Sequence, residues 1–194
     1  MNSFFSPRIL LASASPRRQM LLKESGFNLE IIKIDVEENF DPHLKAFEIP
    51  LYLAEKKNKA YTDTLKENEI LVTADTVVWC NDEVLNKPID IIEAKEMLEK
   101  LSNNMHTVYT AVCMCKGNEY YSFYDESKVY FNALDETLIS FYLSHYAPLD
   151  KAGAYGIQEF IGYVGIQKID GCYYNVMGFP VSKFINELKK LNWL

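Results

Sequence analysis

The stretch that most constrains this chain is Ile9-Leu10-Leu11-Ala12-Ser13-Ala14-Ser15-Pro16-Arg17-Arg18. Ile9 to Ala12 reads as a short buried strand, followed by a tight turn of small residues and then a helix. Ser15 is a natural N-cap, and Pro16 suits the first helical position, where its missing N–H costs nothing. Arg17 and Arg18 then fall in the first helical turn, an end that already carries about half a unit of positive charge. A helix built for stability alone would place Asp or Glu there. The arrangement calls for an anion from outside the chain, held by the open N–H groups, Ser13, Ser15 and the two guanidinium groups, and a phosphate matches best. The competing reading is a pair of solvated arginines on a surface helix.

Composition narrows the rest. The 194 residues suit one domain or two closely joined lobes, and 48% hydrophobic with 24% charged residues can bury a real core. A net charge of −7 argues against a general nucleic-acid binder, yet leaves room for a basic pocket around one small anion. Cys80, Cys113, Cys115 and Cys172 sit in apolar, strand-like surroundings without a CxxC pair. They read as reduced core residues of a cytoplasmic protein rather than disulfides or a zinc site. Met1 to Ser6 lacks the charged and apolar regions of a signal peptide, and no stretch is long enough to span a membrane. His43, His106 and His145 are scattered, against a histidine metal site or a serine-type triad.

In chain order, the first helix is expected over Pro16–Glu24, with Met20, Leu21 and Leu22 inward and Ser25-Gly26 as its stop. Phe27 to Val36 reads as a strand ending at Glu37-Glu38, a carboxylate pair that is either a solvated turn or a metal ligand. Pro50 opens a second helix to about Leu65, with Leu53, Lys57 and Ala60 on one face. Of Lys56, Lys57 and Lys59, one could turn inward to an anion. Ile70 to Trp79 is a strand with Asp75 in its middle. A carboxylate there is costly unless it is paired, binds a cation, or reaches water at a bulge. Its functional readings are metal ligand and general base.

Asn81-Asp82 marks a hairpin, Lys87-Pro88 closes the next strand, and Ile91 to Leu101 is an amphipathic helix. Strands follow over His106–Cys115, Glu119–Phe123 and Ser127–Phe131, then a helix capped by Asp135 and running to His145. In Asp150-Lys151-Ala152-Gly153-Ala154-Tyr155-Gly156-Ile157-Gln158, the small residues allow close approach of a ligand or a packed strand. Gln158 could read a base edge through its paired donor and acceptor. Val164 to Val176 reads as a final hairpin turning at Asp170-Gly171, before a closing helix over Val181–Leu191.

Taken together, these blocks resemble the Maf family, nucleoside triphosphate pyrophosphatases once described as septum formation inhibitors. The resemblance runs nearly end to end. It is carried by Ser13 to Arg18, Glu37-Glu38, Leu53-Ala54 with Lys57, Ala74 to Val78, Leu85 to Pro88 and Leu101-Ser102 ahead of His106. Asp150 to Gln158, Asn175-Val176, Gly178 and Pro180 complete it. It implies a mixed α/β, Maf/ITPase-like fold over residues 1–194. The expected form is a single domain with an elongated twisted sheet flanked by helices and two lobes around a deep cleft.

The resemblance also implies roles. Asp75 matches the catalytic proton acceptor, and Glu38 the acidic residue placed with it for metal and water. Ser13, Arg18, Lys57 and Lys87 match the phosphate-contacting set, the two lysines within the catalytic group. Arg17, Thr76 and Gln158 match positions tied to substrate choice, in the combination of the dTTP and UTP branch. A divalent cation, Mg²⁺ or Mn²⁺, is implied at Glu38 and Asp75. A nucleoside triphosphate substrate is expected, without nucleic acid or membrane, and the family suggests a homodimer. Two residues depart from the family pattern: Glu159, where glycine is frequent, and Asn58, where alanine is usual. The alternatives are a non-catalytic nucleotide-binding regulator of cell division and a pyrophosphatase for modified purine nucleotides such as 7-methyl-GTP.

Overall fold

The structure, a computed structural model, describes residues 4–61 and 63–194. The signal-peptide reading rests partly on Met1 to Ser3, and the expected second helix crosses Thr62. Those residues lie outside the described ones.

Strand β1 (Arg8–Leu11) enters helix α1 (Pro16–Glu24), as the opening motif requires. Ser15 caps α1 by accepting from the Arg18 N–H, and the chain leaves through Gly26 at φ 85°. Leu21 and Leu22 are buried, but Met20 is 46% exposed, so the inward face is narrower than expected. Strand β2 covers only Asn28–Ile31. Helix α2 spans Glu48–Lys59, so Pro50 lies within its first turn rather than at its start.

Strand β3 (Glu69–Cys80) turns at Asn81 and Asp82, both at positive φ (52° and 62°), into β4 (Glu83–Leu85). That is the backbone a two-residue hairpin of this twist demands. In helix α3 (Ile91–Leu101) the Asp90 carboxylate accepts from the Glu93 N–H at 2.8 Å, while Glu93 accepts from the Ile89 N–H at 2.6 Å. The first bond satisfies a donor that the helix leaves open, and the second fastens the residue before the cap.

Strand β5 (Met105–Lys116) passes through Gly117-Asn118 into β6 (Glu119–Phe131). The two strands expected at 119–123 and 127–131 are one. Asp125, between the two expected strands, pairs with Lys183 at 3.1 Å, so its charge does not end the strand. Helices α4 (Glu136–His145, capped by Asp135) and α5 (Phe160–Gly165) precede β7 (Ile166–Gly171). Residues 173–176 form a short helix, α6 (Tyr173–Val176), instead of a hairpin partner. The reason lies in Ser127, whose hydroxyl accepts from the Cys172 N–H at 2.9 Å and bonds the Cys172 carbonyl at 3.0 Å. This ends the β7 ladder at Gly171 and turns the chain away. Helix α7 (Val181–Lys190) closes the fold.

The seven-stranded mixed sheet has the order β2-β1-β3-β5-β6-β7, with β4 on β3. Strand β1 is parallel to both β2 and β3, as expected for strands joined by helical crossovers. Strand β7 is antiparallel to β6.

Two compact units share the chain. The first holds Met1–Asp75, Thr110–Asp125 and Gly178–Leu194. Its core joins Ile9, Leu11, Leu22 and Ile70 with the ring series Phe5, Phe27, Phe184 and Phe179. The second holds Thr76–Tyr109 and Glu126–Met177. Leu98, Leu101, Val129, Ile139 and Tyr142 are buried there, with His106 between Phe131 and Tyr155. Burial drives the His106 pKa down to about 3, and its Nε2 lies 2.8 Å from the Tyr155 hydroxyl.

All four cysteines are free; Cys80, Cys113 and Cys115 are buried and Cys172 is half-buried. Desolvation raises the Cys80 and Cys115 thiols and pushes Cys113 up to about 12. Among the described residues no helix is long and apolar enough to cross a membrane.

Candidate active site

The small-residue turn after β1 is braced from several sides. Ser13 Oγ accepts from the Ser15 N–H at 3.3 Å, and Gln19 donates to the Ser13 carbonyl at 3.0 Å. Arg18 donates from Nε to the Gly178 carbonyl at 2.9 Å and from Nη1 to the Ala74 carbonyl at 2.8 Å, with Ser13 Oγ at 3.4 Å. The guanidinium therefore ties the helix start to β3 and to the segment before α7. Burial lowers the Arg18 pKa from its ordinary value; the charge of Asp75 opposes this, Arg17 adds to it, and Glu38 opposes it more weakly. An arginine remains charged under such a shift. Asp75 and Glu38 thus lie within the electrostatic reach of the arginines, as a cluster would require.

Asp75 is 8% exposed in the middle of β3, so its charge must be matched inside the protein. Lys57 provides the match. Its Nζ lies 2.6 Å from Asp75 Oδ1 and 2.7 Å from Glu38 Oε1, so one ammonium bridges two carboxylates. Of the three candidate lysines in α2, Lys57 is the inward one. Lys59 is exposed, and Lys56 donates to the Asn39 carbonyl at 3.1 Å.

The helix is fastened next to Lys57. Asn58 is buried and donates to Thr73 Oγ1 at 3.3 Å and to the Cys113 carbonyl at 3.1 Å, while Thr73 Oγ1 donates to the Ala54 carbonyl at 2.7 Å. Asn58, one position from Lys57, and Thr73, two from Asp75, thus set α2 against β3.

The first unit brings together Ser13, Arg18, Glu38, Lys57 and Asp75, with Arg17 half-buried on the first turn of α1. Thr76, Lys87 and Gln158 belong to the second unit. Thr76 is half-buried on β3, Lys87 is exposed after β4, and Gln158 is half-buried ahead of α5. The small residues expected to allow close approach do so within the protein. Gly153, at φ 69°, packs against the Val78 side chain, and a Cβ on Gly156 would lie 2.7 Å from the Glu159 carboxyl carbon. Sequence reasoning missed the second unit's polar partners, Tyr142 and Lys151; the only hint was a lysine inside an otherwise small and apolar run. A cavity of about 620 Å³ elsewhere in the first unit, lined by Arg8, Glu30, Tyr61, Lys66 and Glu69 among others, contains none of the expected site residues. Arg8 and Lys66 already pair there with Glu69 at 3.3 and 3.6 Å.

The sequence profile of Maf-like proteins matches residues 8–191. The chain belongs to the Maf family. Among curated Maf relatives, the dTTP/UTP pyrophosphatase of Cytophaga hutchinsonii is 49% identical over 98% of this chain and 87% of its own length. Those of Parabacteroides distasonis and Flavobacterium johnsoniae are 46% and 45% identical, covering 94% and 95% of this chain and 95% of each relative. The Staphylococcus aureus Ham1 protein superposes with a TM-score of 0.50 at 16% identity, over 94% of this chain and 99% of that one. At that identity the likeness is one of fold.

For the Maf chain, the donor chemistry can be tested against the implied divalent cation. Glu38 and Asp75 present hard oxygen atoms to one point, marked by Lys57 Nζ. Among the described residues no group of three or more metal-ligating side chains forms. Two carboxylates fit a cation such as Mg²⁺, which takes one or two carboxylates and fills its shell with phosphate oxygens and water. They do not make a closed protein cage.

Proposed function

We propose that this chain is a nucleoside triphosphate pyrophosphatase that hydrolyses dTTP and UTP to the monophosphate and pyrophosphate. The observation that carries the reading is Lys57 bridging Glu38 and Asp75 beside the turn braced by Arg18. A module that only holds a phosphate gains nothing from two carboxylates at that point. The names of the curated relatives supply the substrate pair.

In this mechanism Ser13, Arg18, Lys57 and Lys87 neutralise and orient the triphosphate oxygens. Asp75 accepts a proton from water as the water oxygen bonds to the α-phosphorus. The bond from the α-phosphorus to the bridging oxygen breaks, and pyrophosphate leaves with its electron pair. Lys57, held 2.6 Å from Asp75, aligns the carboxylate as an acceptor. Glu38 and Asp75 would hold Mg²⁺ or Mn²⁺, which when bound supplies charge neutralisation on the phosphates. Arg17, Thr76 and Gln158 carry the choice of base. The chain is read as one functional domain in the cytoplasm, with a nucleoside triphosphate as its ligand.

The test is pyrophosphate release from dTTP, UTP, CTP, ITP and 7-methyl-GTP with Mg²⁺, with Mn²⁺ and with EDTA. Metal-dependent release from dTTP and UTP is expected. Binding without turnover across the panel would overturn the assignment in favour of a non-catalytic regulator. Turnover confined to 7-methyl-GTP would move the substrate to modified purines.

A further inference from the structure

We propose that Glu159 is a positioning residue for Gln158, clamped by Tyr142 and Lys151 so that the Gln158 amide oxygen is presented as an acceptor to a nucleobase N–H. The inference rests on the reading of Gln158 as a base contact and adds how that contact is held.

The Glu159 carboxylate is engaged on both oxygens. Oε2 accepts from the Tyr142 hydroxyl, and Oε1 lies 3.2 Å from Lys151 Nζ. Neither partner is a loose surface group. Tyr142 is fully buried on α4, and its hydroxyl oxygen also accepts from the Gly156 N–H at 3.1 Å. One phenol thus fixes the start of the 156–159 turn through its backbone and the end through a side chain. Lys151, 6% exposed, is held in turn by the Ala147 carbonyl at 2.5 Å and Asp150 at 2.7 Å.

The turn is closed further by its own backbone. The Glu159 N–H donates to the Gly156 carbonyl at 3.0 Å, and the Tyr163 hydroxyl donates to the Gln158 carbonyl at 2.6 Å. Gly156 is required beneath the carboxylate, since any Cβ there would sit 2.7 Å from Glu159 Oε2. The Gln158 backbone is therefore held by the Gly156–Glu159 bond that spans it and by the Tyr163 hydroxyl on its own carbonyl.

Its side chain is the exception. Gln158 Oε1 is buried without a hydrogen-bond partner. A buried carbonyl oxygen left unpaired is unfavourable until a donor meets it. The ring N–H between the two carbonyls of uracil or thymine is such a donor. Cytosine offers a lone pair at the same ring position and would set acceptor against acceptor. Rejection of this kind comes from the site's own unpaired group, and it works only if the group cannot swing away. The clamp at Glu159 fixes the backbone from which the Gln158 side chain extends, and so limits where its amide can go.

The experiment measures kcat/KM for UTP and for CTP in the full chain and in Glu159→Ala, Glu159→Gln, Tyr142→Phe and Gln158→Ala. Glu159→Ala is expected to lower the UTP-to-CTP ratio about tenfold, through a raised KM for UTP more than a lowered kcat. Tyr142→Phe keeps the ring packing and should lower the same ratio. The Tyr142→Phe/Glu159→Ala double variant should lower it no further than the stronger single change. Glu159→Gln keeps an acceptor for Tyr142 and should recover part of the ratio. A merely structural role would depress both substrates equally and leave the ratio alone. An unchanged ratio in Glu159→Ala and Tyr142→Phe, with a lowered one in Gln158→Ala, overturns this inference and leaves the base-contact reading standing. An unchanged ratio in Gln158→Ala overturns both.

Discussion

Each unit holds a largely buried lysine between two carboxylates, and the two are assembled in opposite ways. Lys57 gathers Glu38 and Asp75 from a loop, a helix and a strand, 19 and 18 positions away in sequence. Lys151 pairs with Asp150, beside it, and Glu159, eight positions on, and takes the Ala147 carbonyl as well. The local group bends and fastens a turn. The long-range group comes into being only when the fold does, and it leaves a buried carboxylate inside a β-strand. That is a poor way to stabilise a sheet and a good way to hold a proton acceptor. The same three charges thus serve shape in one unit and, in the proposed mechanism, reaction chemistry in the other.

Asp75→Asn gives the largest expected effect. Pyrophosphate release from UTP should fall about a thousandfold, the range of a lost general base, while far-UV circular dichroism stays unchanged. Full activity in that variant would dissolve the distinction between the two lysine groups.

The lysines themselves sharpen it. Lys57→Met should cost about a hundredfold in kcat. Lys151→Met should cost about 2 kcal/mol in urea unfolding, because it leaves the largely buried Glu159 carboxylate without its cation, with a smaller loss of turnover on UTP. Reversed outcomes would exchange the roles of the two groups.

His106 provides a pH test of the second unit. Its folded pKa of about 3 lies below the ordinary histidine value, so between the two the unfolded chain binds the extra proton. Stability should therefore be full above pH 6.5 and be lost on acidification toward pH 3, by up to about 1.4 kcal/mol per pH unit. His106→Gln should flatten that slope in thermal melts taken across the range. The smallest effect is expected for Asn58→Ala, about 1 to 2 kcal/mol in urea unfolding, from the bonds to Thr73 and Cys113.

Local rules in the sequence reached much of this. Ser15-Pro16 and Asp135 announced two helices through their caps, and Asn81-Asp82 announced the β3–β4 turn through its backbone demands. Those signals act over three or four residues, so no tertiary contact is needed to read them. Failures occurred where a distant partner decides. Lys183 lets β6 run through Asp125, and Ser127 turns Tyr173–Val176 from the expected strand into helix. The candidate site divides in the same way. An apolar strand around Asp75 demanded a partner, but which of three lysines would supply it depended on how α2 lies on β3. Asn58 and Thr73 fix that, and neither stood out as functional.

The four thiols carry one more consequence. Cys80, Cys113 and Cys115, buried and with their thiol pKa values raised by desolvation, are poor targets for an alkylating reagent while the chain is folded. Cys113 and Cys115 lie in one unit, Cys80 and Cys172 in the other. Iodoacetamide added during a denaturant ramp would therefore leave a mass tag at each cysteine as its surroundings open. The order in which the tags appear would reveal which half of the molecule lets go first, with no label engineered in.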